Sequence, residues 1–522
     1  MRLLRSSAVV GALTMVSRVL GFVRDMLLAA ALGTGPVSEA FVVALRFPNL
    51  FRRLFAEGAF NAAFVPLYAG KVEAEGQEEA QLFLKQVLSV LITVLAVFVV
   101  LAQVLMPWLM MAIVPGFEIG EPGRRYELAV LFTQITMPYI FLMSITAMLG
   151  GVLNSHNRFV VAAAAPVILN VVLIAVLATA PDTAQVTGLR LSFGVTVSGI
   201  LQALFLFWGC RRLGIRFGLT LPRLTPGVKR LIALGIPGTF AAGITQINII
   251  ISQQIASLQD GAVALLYFAD RLYQLPLGVI GIAMGVALLP TLSRRMRAED
   301  HDGARNAMNR ALEMSMALTV PAAIAMIVMP NFLVEGLFMR GEFSDQAARG
   351  TAFAVQAFAV GLPAFVLIKV FSPGFFARED TKTPMRFAAL SMLVNVAVGL
   401  GLFFLIRNRF PEFGHVGLAA ATSLAGWLNA ILLMLTLRRR GGLDFDARLK
   451  SRLPRVAVAA TMMGLAIAAL ASQSETITAL ALGSQLLALV LVSGAGLGVF
   501  GLVSIMTGAL RPSEVLQALG RR

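Results

Sequence analysis

Apolar residues run through this chain in stretches of about twenty or more, separated by short polar breaks, from its first residues almost to its last. A helix rises about 1.5 Å per residue, so roughly 20 apolar residues cross the ~30 Å hydrocarbon layer of a bilayer. Fourteen such stretches are legible, at 8–32, 38–66, 86–114, 128–152, 159–180, 189–210, 230–257, 263–291, 308–338, 350–375, 386–406, 416–437, 455–472 and 479–508. The expected fold is an all-α integral membrane protein with 14 transmembrane helices. The first stretch has no small-residue cleavage site and carries charges in its middle, so it reads as a retained helix and not a signal peptide.

Composition sharpens that picture. The chain is 58% hydrophobic and only 13% charged, with a mean hydropathy of +0.83, whereas a soluble domain is roughly half apolar even with Gly counted. Lys and Arg concentrate in alternate loops: Arg211, Arg212, Arg216, Arg223, Lys229 and Arg230 in one, Arg294, Arg295, Arg297 and Arg305 in a second, and the run from Arg438 to Arg455 in a third. The intervening loops PDTAQVTG, LQDG and SQSETIT carry none, although RNRF at 407–410 is an exception. By the positive-inside rule both termini are expected to be cytoplasmic. These loops account for the net charge of +16, which therefore points to membrane orientation and anionic lipids, not nucleic acid. The single cysteine, Cys210, excludes an internal disulfide and a cysteine-only metal site; no metal and no cofactor is expected.

An internal repeat organises the chain. MPYIFLMSITAMLGGVLNS (137–155) aligns with LPAFVLIKVFSPGFFARED (362–380) at an offset of 225, which also carries Asn170 onto Asn395. AAFVPLYAGKVEAEG (62–76) matches VALLPTLSRRMRAED (286–300) at 224, and FVVALRFP (41–48) matches ADRLYQLP (269–276) at 228. Each unit holds six helices, an even number, so the two copies share one orientation and are expected to enclose a central cavity about an axis along the membrane normal. The expected domains are an N-terminal lobe over 1–225, a C-terminal lobe over 226–445, and two additional helices with a tail over 446–522.

Within the apolar stretches stand residues that hydrocarbon does not tolerate. The first carries Arg18, Arg24 and Asp25; the second carries Glu39, Arg46, Asn49, Arg52 and Arg53; the eighth carries Asp270 and Arg271. Arg18 lies ~15 Å into its helix, near the midplane, and is ~10 Å along the axis from Asp25, too far for a direct pair on one helix. The repeat supplies a control: at the 228 offset Ser17, Arg18, Arg24 and Asp25 fall on Thr245, Gln246, Ser252 and Gln253. These positions are polar in both copies and charged in one, as expected of a helix face lining a shared cavity whose first wall has gained charge. Snorkelling to an interface is the plain alternative for Arg46, Arg52 and Arg53, and local pairing with Arg271 or backbone for Asp270. Positive charge from several helices suits an anion, and the guanidinium fork suits phosphate. Prolines 48, 66, 138, 237, 276, 290, 363 and 373 lie in or at the ends of helices, where they can supply kinks.

The segments SRVLGFVRD, RFPNLFRRLFAEGAFNAAFVP, GAVALLYFADRLYQLP and SPGFFAREDTKTP resemble the MurJ (MviN) family, the flippases for the peptidoglycan precursor lipid II in bacterial inner membranes, over the full chain. More distantly the chain is similar to the multidrug/oligosaccharidyl-lipid/polysaccharide exporter superfamily. The resemblance implies two six-helix repeats plus two C-terminal helices, a V-shaped cavity and alternating access. It further implies a role in cell wall biogenesis and cell shape, with undecaprenyl-diphosphate-linked substrate moved from the inner to the outer leaflet. The family's cavity arginines map onto Arg18, Arg24, Arg52 and Arg271, as diphosphate ligands. Its acidic position in the second helix, more usually aspartate, is Glu39 here, and an acid three places after the eighth-helix arginine is replaced by Gln274. In the family the two extra helices frame a groove for the polyprenyl tail.

Other classes fit less well. No G-x-x-x-x-G-K-[ST] is present for a primary pump, and His156, His301 and His415 fall in loops or at helix ends, away from where a membrane-embedded transferase would need them. An exporter of small cationic molecules would favour an acidic, aromatic cavity, whereas arginine dominates here. The expected partner is lipid II within membrane lipids, and an exporter of another polyprenyl-linked oligosaccharide or of small molecules is the alternative. The energy source stays open between membrane potential and a monovalent cation, proton or sodium, with Asp25, Glu39 and Asp270 as coupling candidates and Arg46, Asn49 and Arg53 as further cavity candidates.

Overall fold

A computed structural model describes residues 2–52, 59–118, 124–179 and 183–510. The described residues form α-helices, two short 3-10 turns at Pro115–Glu118 and Pro411–Phe413, and no strands. In chain order the helices are α1 (Arg2–Leu32), α2 (Pro36–Arg52), α3 (Ala59–Ala74), α4 (Gly76–Ile113), α5 (Arg124–Thr136), α6 (Pro138–Ser155), α7 (Phe159–Ala178), α8 (Ala184–Arg211) and α9 (Pro226–Ser257). There follow α10 (Ala262–Arg297), α11 (His301–Val328), α12 (Pro330–Phe338), α13 (Asp345–Phe376), α14 (Lys382–Arg409), α15 (Gly414–Arg439), α16 (Ala447–Ala471), α17 (Ser474–Leu480) and α18 (Gln485–Met506).

By length and composition, 10 membrane-crossing segments are present among the described residues, with α5 and α6 counted as one. Several expected spans are not single helices. The stretch 128–152 divides at Met137 into α5 and α6, and 308–338 divides at Met329 into α11 and α12. Both second helices begin with proline, whose ring cannot donate to the preceding turn and clashes with it. The stretch 479–508 starts late: α18 begins at Gln485, after Leu482 and Gly483 turn the chain with φ of 55° and 76°.

Lipid offers no donors for carbonyls that a proline leaves unpaired, so neighbouring side chains must supply them. Pro107 inside α4 frees the Gln103 carbonyl, which accepts from Gln134 Nε2 at 3.2 Å; Pro138 frees the Gln134 carbonyl, which accepts from Gln103 Nε2 at 2.8 Å. The two glutamines thus clasp α4 to α5 reciprocally. Pro48 in α2 frees the Ala44 carbonyl, and the Thr136 hydroxyl donates to it at 2.9 Å.

The chain separates into two compact units, one of residues 1–264 with 341–343, the other of 265–340 with 344–522. In the first, α1 lies along α7, and α8 packs on α6 and α7. Phe64, Tyr68, Phe83, Leu153, Leu206 and Cys210 share a core at one end of these helices. In the second, α15 lies along α13 and α14, and α11 packs on α13 and α16. Close helix approach there needs small residues: a Cβ on Gly417 of α15 would sit 2.7 Å from the Leu402 carbonyl carbon of α14. Near the middle of α11, Glu313 is buried among Arg310, Arg448 and Arg452, which ties α16 to this unit.

Candidate functional site

Arg24 and Asp25 are buried on α1, at 8% and 1% exposure, on the side where α7 packs. Successive helix residues diverge by about 100°, yet the arginine stem is long enough to turn its guanidinium onto the neighbouring carboxylate. Nε and Nη2 of Arg24 donate to Asp25 Oδ1 at 3.0 and 2.7 Å, while Nη1 donates to Oδ1 of Asn170 on α7 at 3.0 Å. The Asn170 amide group donates through Nδ2 to the Ser17 carbonyl at 2.8 Å, which fixes its orientation, since a guanidinium can only donate. Gly21 passes close to this carboxamide: a Cβ there would lie 3.6 Å from both Asn170 side-chain polar atoms, in ordinary contact. The result is a charge-compensated polar site inside a helix pair, with Ser17, Arg24, Asp25 and Asn170 as its members.

Arg18 is not brought into this site. It stands on an exposed face of α1, where Val16, Val19 and Val23 are also exposed.

Glu39 belongs to a second cluster in the same unit. It is buried at the start of α2 and accepts from Arg125 Nη1 on α5 at 3.2 Å and from the backbone N–H of Val263 at 3.1 Å. Arg125 also donates to the Gly116 carbonyl at 3.2 Å, pairs with Asp260 at 2.8 Å and lies over the Phe117 ring. Beside it the Ser257 hydroxyl accepts from the Gly116 N–H at 3.0 Å. A Cβ on Gly116 would meet the Ser257 carbonyl oxygen at 2.2 Å, so this corner admits only glycine. Glu39 therefore sits in a knot that joins the ends of α2, α4, α5 and α9.

In the second unit Asp270 and Arg271 lie half-buried on α10. The Gln274 amide donates to Asp270 Oδ2, and the Arg271 guanidinium stacks 4.6 Å from the Tyr267 ring centroid. The replacement of an acid by Gln274 thus provides a donor to Asp270 one turn away. Arg46 is half-buried on α2, and Asn49 donates to the Leu45 carbonyl of its own helix at 2.8 Å. Arg53 lies outside the described residues, as does the Arg52 side chain.

Two of these partners, Asn170 and Arg125, are not among the site residues that the sequence predicts. Asn170 carried a signal, its repeat onto Asn395, but the second copy has different neighbours: Asn395 Oδ1 accepts from Thr422 at 3.4 Å. Arg125 carried none, since it precedes an apolar stretch like any interfacial arginine. Among the described residues, no group of three or more His, Cys, Asp or Glu is placed to hold a metal ion.

A family model described as "Lipid II flippase MurJ" matches residues 28–491. The chain is 47% identical to the "Probable lipid II flippase MurJ" of Rhizobium meliloti (strain 1021), over 90% of this chain and 86% of the relative. In fold it is similar to a structure titled "Lipid II flippase MurJ, inward closed conformation", with a TM-score of 0.79 at 22% identity, over 95% of this chain and 98% of that one. It is also similar to an inward-facing multidrug resistance MATE family transporter of the MOP superfamily, with a TM-score of 0.67 at 16% identity, over 85% and 98% of the two chains.

Proposed function

The chain belongs to the MurJ family of lipid II flippases, and we propose that it moves undecaprenyl-diphosphate-linked peptidoglycan precursor from the inner to the outer leaflet of the cytoplasmic membrane by alternating access. It is a transporter and not an enzyme. The observation that carries the reading at the level of residues is the buried Arg24–Asp25–Asn170 site on a membrane helix. Charge at that depth costs several kcal/mol and is kept for substrate or ion pathways. Our reading assigns Arg24 with Arg18, Arg52 and Arg271 to the diphosphate, and leaves Asp25, Glu39 and Asp270 as groups through which a monovalent cation or the membrane potential acts. Neutrality of the Arg24–Asp25 pair means that an arriving diphosphate competes with Asp25 for the guanidinium, which couples substrate binding to rearrangement of α1.

We further propose fourteen spans with both termini cytoplasmic. To the segments already long and apolar enough, this adds α1, α2 with α3, α9 and α10; three of these four carry the charged set and α9 carries its polar repeat positions, Gln246 and Gln253. Support for two six-helix repeats over 1–225 and 226–445, with 446–522 as an addition, comes from the backbone. Left-handed residues recur in pairs at Gly33 and Gly261, Gly76 and Glu299, Asn157 and Glu379, and Gly214 and Gly441. Their offsets, between 222 and 228, lie within three residues of the sequence offsets of 224 to 228, so equivalent helices end at nearly equivalent places.

The test is translocation of lipid II into the outer leaflet of vesicles holding the purified protein, with membrane potential and cation gradients imposed separately. Flipping that requires the protein and fails with an unrelated polyprenyl-linked oligosaccharide is the expected result. Equal transport of both lipids would move the assignment to the broader exporter reading.

A further inference from the structure

The connector between α8 and α9, residues 212–225, turns at 212–214, has no regular secondary structure beyond that, and is pinned along one edge. Ile215 is buried, Phe217 packs on Phe207 with ring centroids 4.8 Å apart, the Thr220 N–H donates to Ser89 Oγ at 2.8 Å, and the Thr225 hydroxyl donates to Gln86 Oε1 at 2.9 Å. Its other edge faces outward: Leu219, Leu221 and Leu224 are 67%, 73% and 58% exposed, with Arg223 exposed among them and Arg216 exposed just before them. Three leucines bared within six residues, outside any apolar span, call for a partner surface. No acidic residue occurs from Arg211 to Arg230, while six basic ones do.

The level of this strap is marked by its neighbours. Its anchors Gln86 and Ser89 stand where the apolar part of α4 begins. Trp208, near the end of α8, is half exposed, and the Arg212 guanidinium lies 3.8 Å from its ring centroid. Tryptophan with arginine at a span terminus is the composition of the headgroup boundary. Exposed leucines beside it suit the acyl edge, and the exposed arginines of the same connector suit phosphate level.

We propose that residues 212–225 form an interfacial strap that seats on the anionic phospholipid surface, its leucines entering the acyl boundary and Arg212, Arg216 and Arg223 holding headgroup phosphates. The inference rests on the membrane reading of α4 and α8 given above.

Nitroxide labels on cysteines placed singly at 219, 221 and 224, in full-length protein with Cys210→Ala, test it in nanodiscs by collision with oxygen against a water-soluble nickel chelate. Glu78, exposed in the first turn of α4, serves as the aqueous control and Val100, exposed on the middle of α4, as the lipid control. In discs containing phosphatidylglycerol, the three labels are expected to favour oxygen several-fold over Glu78, and to fall toward Glu78 in phosphatidylcholine alone or when Arg212, Arg216 and Arg223 are changed to Gln. Water-like labels beside a lipid-like Val100 overturn the strap while leaving the membrane reading intact; a water-like Val100 overturns both. Equal burial in the two lipids overturns the headgroup assignment, and shielding seen only in native membrane vesicles assigns the surface to a protein instead.

Discussion

Arg24 and Asn170, 146 residues apart, meet through one hydrogen bond of 3.0 Å between the guanidinium Nη1 on α1 and the carboxamide oxygen on α7. The same carboxamide holds the Ser17 carbonyl, so one side chain sets both the rotamer of the arginine and the register of two helices. Replacing Asn170 by Leu removes a hydrogen bond to a charged group and is expected to lower stability by about 1.5–3 kcal/mol while abolishing lipid II flipping. Asn395→Leu loses a neutral contact to Thr422, worth about 0.5–1.5 kcal/mol, and should keep activity. Thermal unfolding in detergent and flipping in vesicles, measured on both variants, check the contrast; equal losses would remove the special place of Asn170.

Arginine replacement should separate Arg18 from Arg24. Arg18→Ala exposes no new charge and is expected to leave protein levels normal while flipping is lost. Arg24→Ala takes the guanidinium away from Asp25, which is 1% exposed, and should cost about 3–5 kcal/mol by breaking a buried pair. Adding Asp25→Asn to Arg24→Ala should restore membrane levels without restoring flipping. Recovery of both would show that the pair serves the fold alone.

Asp25→Asn by itself releases the guanidinium from its competitor. A diphosphate ligand should then bind more tightly and turn over more slowly, seen as raised lipid II retention on the purified protein and a reduced flipping rate. Weaker retention would contradict competition between Asp25 and the substrate.

The knot around Glu39 is graded by burial. Arg125→Ala leaves Glu39 buried without its cation and should cost about 3–5 kcal/mol, whereas Asp260→Asn, at an 84% exposed side chain, should cost under about 1 kcal/mol. Melting temperatures of the two variants give the comparison, and a larger loss for Asp260 would reverse the assignment.

Acid sensitivity should arise in the loop between α13 and α14. Hydrogen bonds from the Thr383 hydroxyl and N–H, with Arg440 beside them, hold the Asp380 carboxyl well below the usual carboxylate range. The folded state therefore keeps this carboxylate charged at pH values where the unfolded chain, titrating near about 3.9, takes up a proton. Its stabilisation is complete above that value and declines as pH falls below it. Unfolding between neutral pH and about pH 3 should show a stability loss confined to the acid end and diminished in Asp380→Asn; a loss centred near neutrality would point to another group.

What the sequence determined by itself are the properties set by short-range composition. Twenty apolar residues in a row cross a bilayer whatever they pack against, and Pro138 or Pro330 ends a helical turn through its own ring, although the breaks at Met137 and Met329 were hidden inside uniformly apolar stretches. The offset repeat and the place of Arg24, Asp25 and Glu39 inside apolar runs were equally legible. The partners of those charges were decided only by tertiary structure. Neighbours on a helix diverge in azimuth, so nothing in the order Arg24–Asp25 announces that the guanidinium folds back, and it does so because α7 brings Asn170 to its other edge. Glu39 meets Arg125 across 86 residues because α2 and α5 pack together, and a buried carboxylate takes whichever cation that packing delivers.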